Sequence, residues 1–130
     1  MRQELHGLFK WKEGYADMLK QKRIAIMGAG NIAGIMAKTI KKMKHVKCYA
    51  IASRDLGRAK EFAKKYGVKK AYGSYEEMVQ DSKIDLVYIA TPHSEHYQNM
   101  KLCIEYGKPV LCEKAFTANA EQAEEVFRLA

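Results

Sequence analysis

Proline and cysteine are scarce in this 130-residue chain, with two and three residues respectively. Two prolines and nine glycines exclude a collagen-like or proline-rich chain. Three cysteines, an odd number, do not build a disulfide scaffold, and they fit a reducing, cytoplasmic setting. No apolar run approaches the roughly 18 residues of a membrane span. The first twenty residues interleave Arg2, Glu4, His6, Lys10, Lys12, Glu13 and Asp17 with apolar positions, so a signal-peptide core is not expected. Acidic residues are also outnumbered, 15 against 23 basic ones, for a formal charge of +8. The basic residues come in scattered pairs (Lys41 and Lys42, Lys64 and Lys65, Lys69 and Lys70) rather than as one patch interleaved with aromatics. They read as solvated helix ends and loops, and no nucleic-acid partner is expected. What is present is apolar: 48% hydrophobic residues, enough for the core of one domain.

Short β-branched runs alternate with helical periodicity along the chain. Residues 23–27 read as a buried strand entering Gly28. Ile32, Ile35, Met36, Ile40 and Met43 then recur at spacings of three and four, the stripe of an amphipathic helix. A second strand is expected at 46–52, and a second helix on Ala59, Phe62, Ala63 and Tyr66, capped by Gly67. A short third strand follows within 68–72, and Ser74 with Glu77 resembles a capping box. A fourth strand is expected at 86–90, and Tyr97, Met100, Cys103 and Ile104 mark the next helical face, closed at Gly107. Residues 109–112 form a fifth strand, and Ala120, Ala123, Phe127 and Ala130 a last helix. Strands separated by helices imply a parallel sheet covered on both faces, a doubly wound α/β fold. Residues 1–21 stand apart as an extension or extra helix, and 22–130 form the domain.

Gly28-Ala29-Gly30-Asn31-Ile32-Ala33 is a G-x-G-x-x-A sequence placed between a strand and a helix. The first glycine permits the tight turn, the second lets the backbone approach a pyrophosphate, and Ala33 lets the helix lie close to the sheet. Backbone N–H groups and the helix dipole then face the anion. Within a βαβ unit the motif implies dinucleotide binding, and the net positive charge suits a phosphorylated cofactor.

The residue after the second strand discriminates between cofactors. An acidic side chain there accepts hydrogen bonds from the ribose of NAD, whereas arginine accommodates the 2′-phosphate of NADP. This chain has Ser53-Arg54, with Arg58 available from the next helix, so NADP(H) is favoured over NAD(H). Asp55 lies one residue further on and leaves a ribose acceptor open.

Five motifs now stand in order: the glycine loop, Ala-Ser-Arg-Asp at 52–55, Tyr-Gly-Ser-Tyr-Glu-Glu at 72–77, Ala-Thr-Pro-His-Ser-Glu-His at 90–96 and Gly-Lys-Pro-Val-Leu-Cys-Glu-Lys at 107–114. Together they resemble the N-terminal Rossmann domain of the Gfo/Idh/MocA oxidoreductases, particularly their dihydrodiol dehydrogenase-like branch. The resemblance implies a pyridine-nucleotide-dependent enzyme acting on a sugar, cyclitol or diol. It sets Glu113-Lys114-Ala115 against the family's Glu-Lys-Pro, so Lys114 takes the place of the active-site lysine, with Ala115 departing from the pattern. It sets Thr91-Pro92-His93-Ser94-Glu95-His96 against Thr-Pro-Asn-x-x-His, so Thr91, Pro92 and His93 would line the cofactor and His96 open the next helix. Glu113 joins the cofactor-binding set on the same basis.

Other readings remain beside it. Without the resemblance, Glu113 and Lys114 read as a strand-end ion pair. His93, His96, Cys103 and Cys112 lack a paired Cys-x-x-Cys, and no metal is expected. The three cysteines fall on apolar faces and read as core thiols. The family's second domain and the usual sixth strand are expected to be missing, which suggests a truncated domain, inactive alone, with a sheet edge open to self-association. A nucleotide-binding or redox-sensing module without catalysis is the alternative.

Overall fold

The computed structural model describes residues 22–112. They form β1 (Lys22–Met27), α1 (Asn31–Lys41), β2 (Val46–Ala52), α2 (Leu56–Tyr66), β3 (Lys70–Tyr72), α3 (Tyr75–Val79), β4 (Leu86–Ile89), a 3-10 turn (His93–Glu95), α4 (His96–Glu105) and β5 (Val110–Cys112). The sheet order is β3-β2-β1-β4-β5, and every pair is parallel. The chain therefore builds outward from β1 to β3, then returns to lay β4 on the other side of β1. That reversal opens a crevice at the carboxyl ends of β1 and β4, the usual ligand position in such sheets. The five expected strands are the five observed. The expected N-terminal helix and the helix at 120–130 lie outside the described residues.

Alternation along each strand divides the core in two. Ile24, Ile26, Ile51 and Tyr88 point to the face covered by Ala33, Met36, Ala37 and Ile40 of α1 and by Ala59 and Phe62 of α2. Ala25, Met27, Ala50, Ala52, Val87 and Ile89 point to the other, against Met78 and Val79 of α3 and Cys103 of α4. Both faces are thus dry, which is why these strands read as continuous apolar runs.

One residue breaks the alternation. Ile24 pairs with Cys48 but Ala25 pairs with Ala50, so Tyr49 is an extra residue in β2. The bulge puts Tyr49 and Ala50 on the same face, with Tyr49 buried. Its hydroxyl donates to Asp81 Oδ2 at 2.9 Å, and Tyr72 donates to the same oxygen at 2.6 Å. The Lys83 amide donates to Oδ1 at 2.9 Å, and Lys108 Nζ donates to the Asp81 carbonyl at 2.8 Å. Burial opposes the charge on Asp81, but these donors and the Lys108 ammonium outweigh it and hold the carboxyl below its ordinary value. Burial first, and then donation to Asp81, pushes both tyrosine hydroxyls up.

Two helices are rotated from their expected stripes. On α1 the inward face is Ala33, Met36, Ala37 and Ile40, while Ile32 and Ile35 are 41% and 65% exposed. On α4 the inward residues are Asn99 and Cys103, while Tyr97 and Ile104 are 77% and 65% exposed. On α1 the small Ala33 and Ala37 share the inward face with Met36 and Ile40, and on α4 the polar Asn99 shares it with Cys103. Two helix ends follow expectation: Ser74 Oγ accepts from the Glu77 amide at 3.2 Å, and Gly67 ends α2 at φ +69°. The cap of α2 by Asp55 was not foreseen.

Candidate functional site

The crevice is assembled from three strand ends. Gly28 leaves β1 at φ +101°, a backbone state that L side chains rarely adopt. A Cβ there would stand 3.0 Å from the Ala90 carbonyl oxygen and 3.1 Å from Thr91 N. Its amide donates to the Ala52 carbonyl, and the Ala90 amide donates to that of Met27, both at 2.8 Å. The turn therefore locks the tops of β1, β2 and β4 together, and only glycine fits.

Gly30 is different. It is the N-cap of α1, no side chain caps it, and a Cβ added to it would meet nothing within 4 Å. Packing among the described residues does not require a glycine here, but a ligand approaching the backbone would. The first turn of α1 carries no acidic residue and its last turn carries Lys38 and Lys41. Among the described residues no side chain caps the first-turn amides, so they and the positive end of the helix dipole stand open to an anion. These residues fit a pyrophosphate. Ala33 is fully buried under the helix, as its size predicts. Gly34 adds a contact absent from the motif: a Cβ there would lie 2.6 Å from Tyr66 Oη, so α1 and α2 approach closely at this point.

Beyond β2 the site divides. Ser53 is buried; its amide donates to the Tyr72 carbonyl at 3.1 Å and its Oγ accepts from Asp55 N at 3.2 Å. Asp55 turns its Oδ1 to the Gly57 amide at 2.9 Å, which accounts for its residue type as a helix cap and takes that oxygen away from a ribose. Arg54 swings toward the β4 side. It forms an ion pair with Glu95 and lies 6.0 Å from the Tyr75 ring centroid. There it lines a depression of about 520 Å³ with Tyr75, Gln98 and Asn99. Arg58 goes the other way. With Gly30, Asn31, Lys38 and Lys65 it lines a groove of about 460 Å³ between α1 and α2. The two arginines, adjacent in the reading of the sequence, thus flank the crevice from opposite sides.

The loop after β4 is held by its own side chains. Thr91 is buried and donates its hydroxyl to Asn99 Oδ1 of α4. His96 Nε2 donates to the Thr91 carbonyl at 2.8 Å, which places the ring proton on that nitrogen. His93 is exposed, its ring meeting that of His96 edge-on at 5.1 Å between centroids. Pro92 stays extended at ψ 147° and starts the 3-10 turn.

Among the described residues no group of three or more His, Cys, Asp or Glu could hold a metal ion. Cys103 is buried, and Cys48 and Cys112 are half-buried. Burial pushes the Cys48 thiol up to about 12 and that of Cys103 to about 11, so both stay protonated near neutrality. Glu113 and Lys114 lie outside the described residues; β5, which precedes them, ends with Cys112 in register with Ile89 of β4. Sequence reasoning missed Glu95 and Asn99 as site residues. Asn99 leaves a signal, a polar residue one helical turn before buried Cys103. Glu95 leaves none, being 41 positions from its partner.

A model of the oxidoreductase family with an NAD-binding Rossmann fold, Gfo/Idh/MocA, matches residues 22–130. The chain belongs to the Gfo/Idh/MocA family. Similar relatives are trans-1,2-dihydrobenzene-1,2-diol dehydrogenases. That of Bos taurus is 43% identical over 107 residues, covering 80% of this chain and 32% of the relative. That of Homo sapiens is 45% identical over 89 residues, 68% of this chain and 26% of the relative. Among solved structures, a 3-ketoreductase from Actinomadura kijaniata in complex with TDP-benzene and NADP gives a TM-score of 0.69 at 28% identity, covering 85% of this chain and 35% of that one. The scyllo-inositol dehydrogenase of Lactobacillus casei with NAD(H) and scyllo-inositol gives 0.67 at 30%, covering 85% and 33%. The family domain therefore spans about a third of the relatives it matches, and it is their NAD-binding Rossmann portion. Among the described residues no helix is long and apolar enough to cross a membrane.

Proposed function

We propose that this chain supplies the nucleotide-binding domain of an NADP(H)-dependent oxidoreductase acting on a sugar, cyclitol or diol. The observation that carries the reading is Gly30, where an added Cβ would meet nothing among the described residues, so the backbone stands open to an incoming phosphate. The relatives' names and complexes support the substrate class: a dihydrobenzenediol dehydrogenase, a scyllo-inositol dehydrogenase and a 3-ketoreductase holding TDP-benzene. When bound, the nicotinamide cofactor carries the hydride.

The chain's residues take the following parts. Amides of the Gly28–Ala33 loop receive the pyrophosphate. Ser53, with no carboxylate to repel it, donates to the 2′-phosphate, and Arg54 and Arg58 supply charge from either side. Thr91, Pro92, His93 and His96 form the wall beside the nicotinamide half, and Glu113 joins the cofactor-binding set by resemblance. Lys114, by resemblance, hydrogen-bonds the reacting oxygen and moves its proton.

Titrating the chain with NADPH and NADH tests the reading. NADPH is expected to bind more tightly, and S53D to shift the ratio toward NADH by about tenfold, the scale of losing one charge-assisted hydrogen bond. Absence of binding by both nucleotides at millimolar concentration overturns the domain's assignment, and an unchanged ratio in S53D overturns the role of Ser53.

A further inference from the structure

Arg54 is not idle in the structure. Its Nη2 is paired with Oε1 of Glu95, which joins the loop after β2 to the loop after β4 across the top of β1. The arginine is 72% exposed, whereas the glutamate is only 23% exposed. The carboxylate is therefore the more buried partner, placed in the turn that leads into α4, and the guanidinium is the more exposed one. The Tyr75 ring lies on the same guanidinium, so the cation already has an anion and a π-face.

We infer that Glu95 is a specificity-determining residue that competes with the cofactor's 2′-phosphate for Arg54. This rests on the reading of Arg54 as a phosphate contact. A phosphate arriving at Arg54 must displace the carboxylate or share the guanidinium with it, and either way two anions are brought close. NADH carries no such phosphate, so its binding does not meet this repulsion. Glu95 thereby narrows the preference that Ser53 and Arg54 create. It also offers the empty site a counter-charge, keeping the two loops joined until nucleotide arrives.

The test uses the full 130-residue chain and three variants of it, R54A, E95Q and R54A/E95Q, each titrated with NADPH and NADH. E95Q keeps the shape of the side chain and removes the charge. It is expected to tighten NADPH relative to NADH by about three- to tenfold, as expected for relief of one partly exposed charge contact. The gain should shrink as salt is raised and disappear in the R54A background. Selective weakening of NADPH by E95Q would show that Glu95 holds Arg54 in place for the phosphate, and would overturn the inference. An equal change for both nucleotides, or a gain that survives R54A, would overturn it too. R54A alone distinguishes the two levels. If R54A lowers the NADPH-to-NADH ratio while E95Q fails to raise it, only the role of Glu95 falls. If R54A leaves the ratio unchanged, the phosphate role of Arg54 falls and takes this inference with it.

Discussion

Gly28 and Gly30 are two positions apart and do opposite work. Gly28 satisfies the fold: its positive φ and its contact with the end of β4 exclude any side chain. A Cβ at Gly30 would meet nothing among the described residues, which fits a demand from a ligand. G28A is expected to cost about 1–3 kcal/mol in urea unfolding, the scale of a strained backbone site. G30A is expected to leave the unfolding midpoint nearly unchanged and to weaken both nucleotides by tenfold or more, measured by calorimetry. Equal stability losses in the two variants would contradict this division. The motif already gives the turn to the first glycine and the open backbone to the second; the contact that excludes a side chain at Gly28 was hidden, because it is made with Ala90 and Thr91, more than sixty residues away.

At the scale of elements, the sheet was more legible than the helices that cover it. Strands β1, β2 and β4 are buried on both faces, and such runs announce themselves by composition. The orientation of α1 and α4 was legible only in part. Met36, Ile40 and Cys103 face the core as expected, whereas Ile32, Ile35, Tyr97 and Ile104 fit a period of 3.6 but face outward. The bulge at Tyr49 was equally hidden, since it arises from pairing between two strands. It creates the Asp81 cluster, which ties β2 and β3 to the segment before β4. Asp81 is held below its usual 3.8, so its contribution is fully present above that value and is lost as pH falls through the folded-state value. Tyr49 and Tyr72 are raised above 10, so their contribution is present below pH 10 and lost as pH climbs through their folded values. D81N should cost about 2 kcal/mol near neutrality, the scale of hydrogen bonds to a charged group, and flatten the acid limb of a stability–pH curve. An acid limb identical to wild type would assign that pH dependence elsewhere.

At the scale of the molecule, the strand order β3-β2-β1-β4-β5 turns these local features into one crevice. Motif order alone implied the architecture. It did not imply that Arg54 and Arg58 would stand on opposite flanks, or that Arg54 would find an anion in Glu95. The charge of +8 acts at this scale as well. It should make NADPH binding more salt-sensitive than NADH binding, because the extra phosphate samples the same positive field. Affinities measured at two ionic strengths would check this, and equal slopes would count against a phosphate contact in the site. The most direct test of the central claim remains a side-by-side calorimetric titration of the chain with NADPH and NADH. The account predicts saturable, one-to-one binding of both with NADPH the tighter, and a flat titration with each nucleotide at millimolar concentration would contradict it.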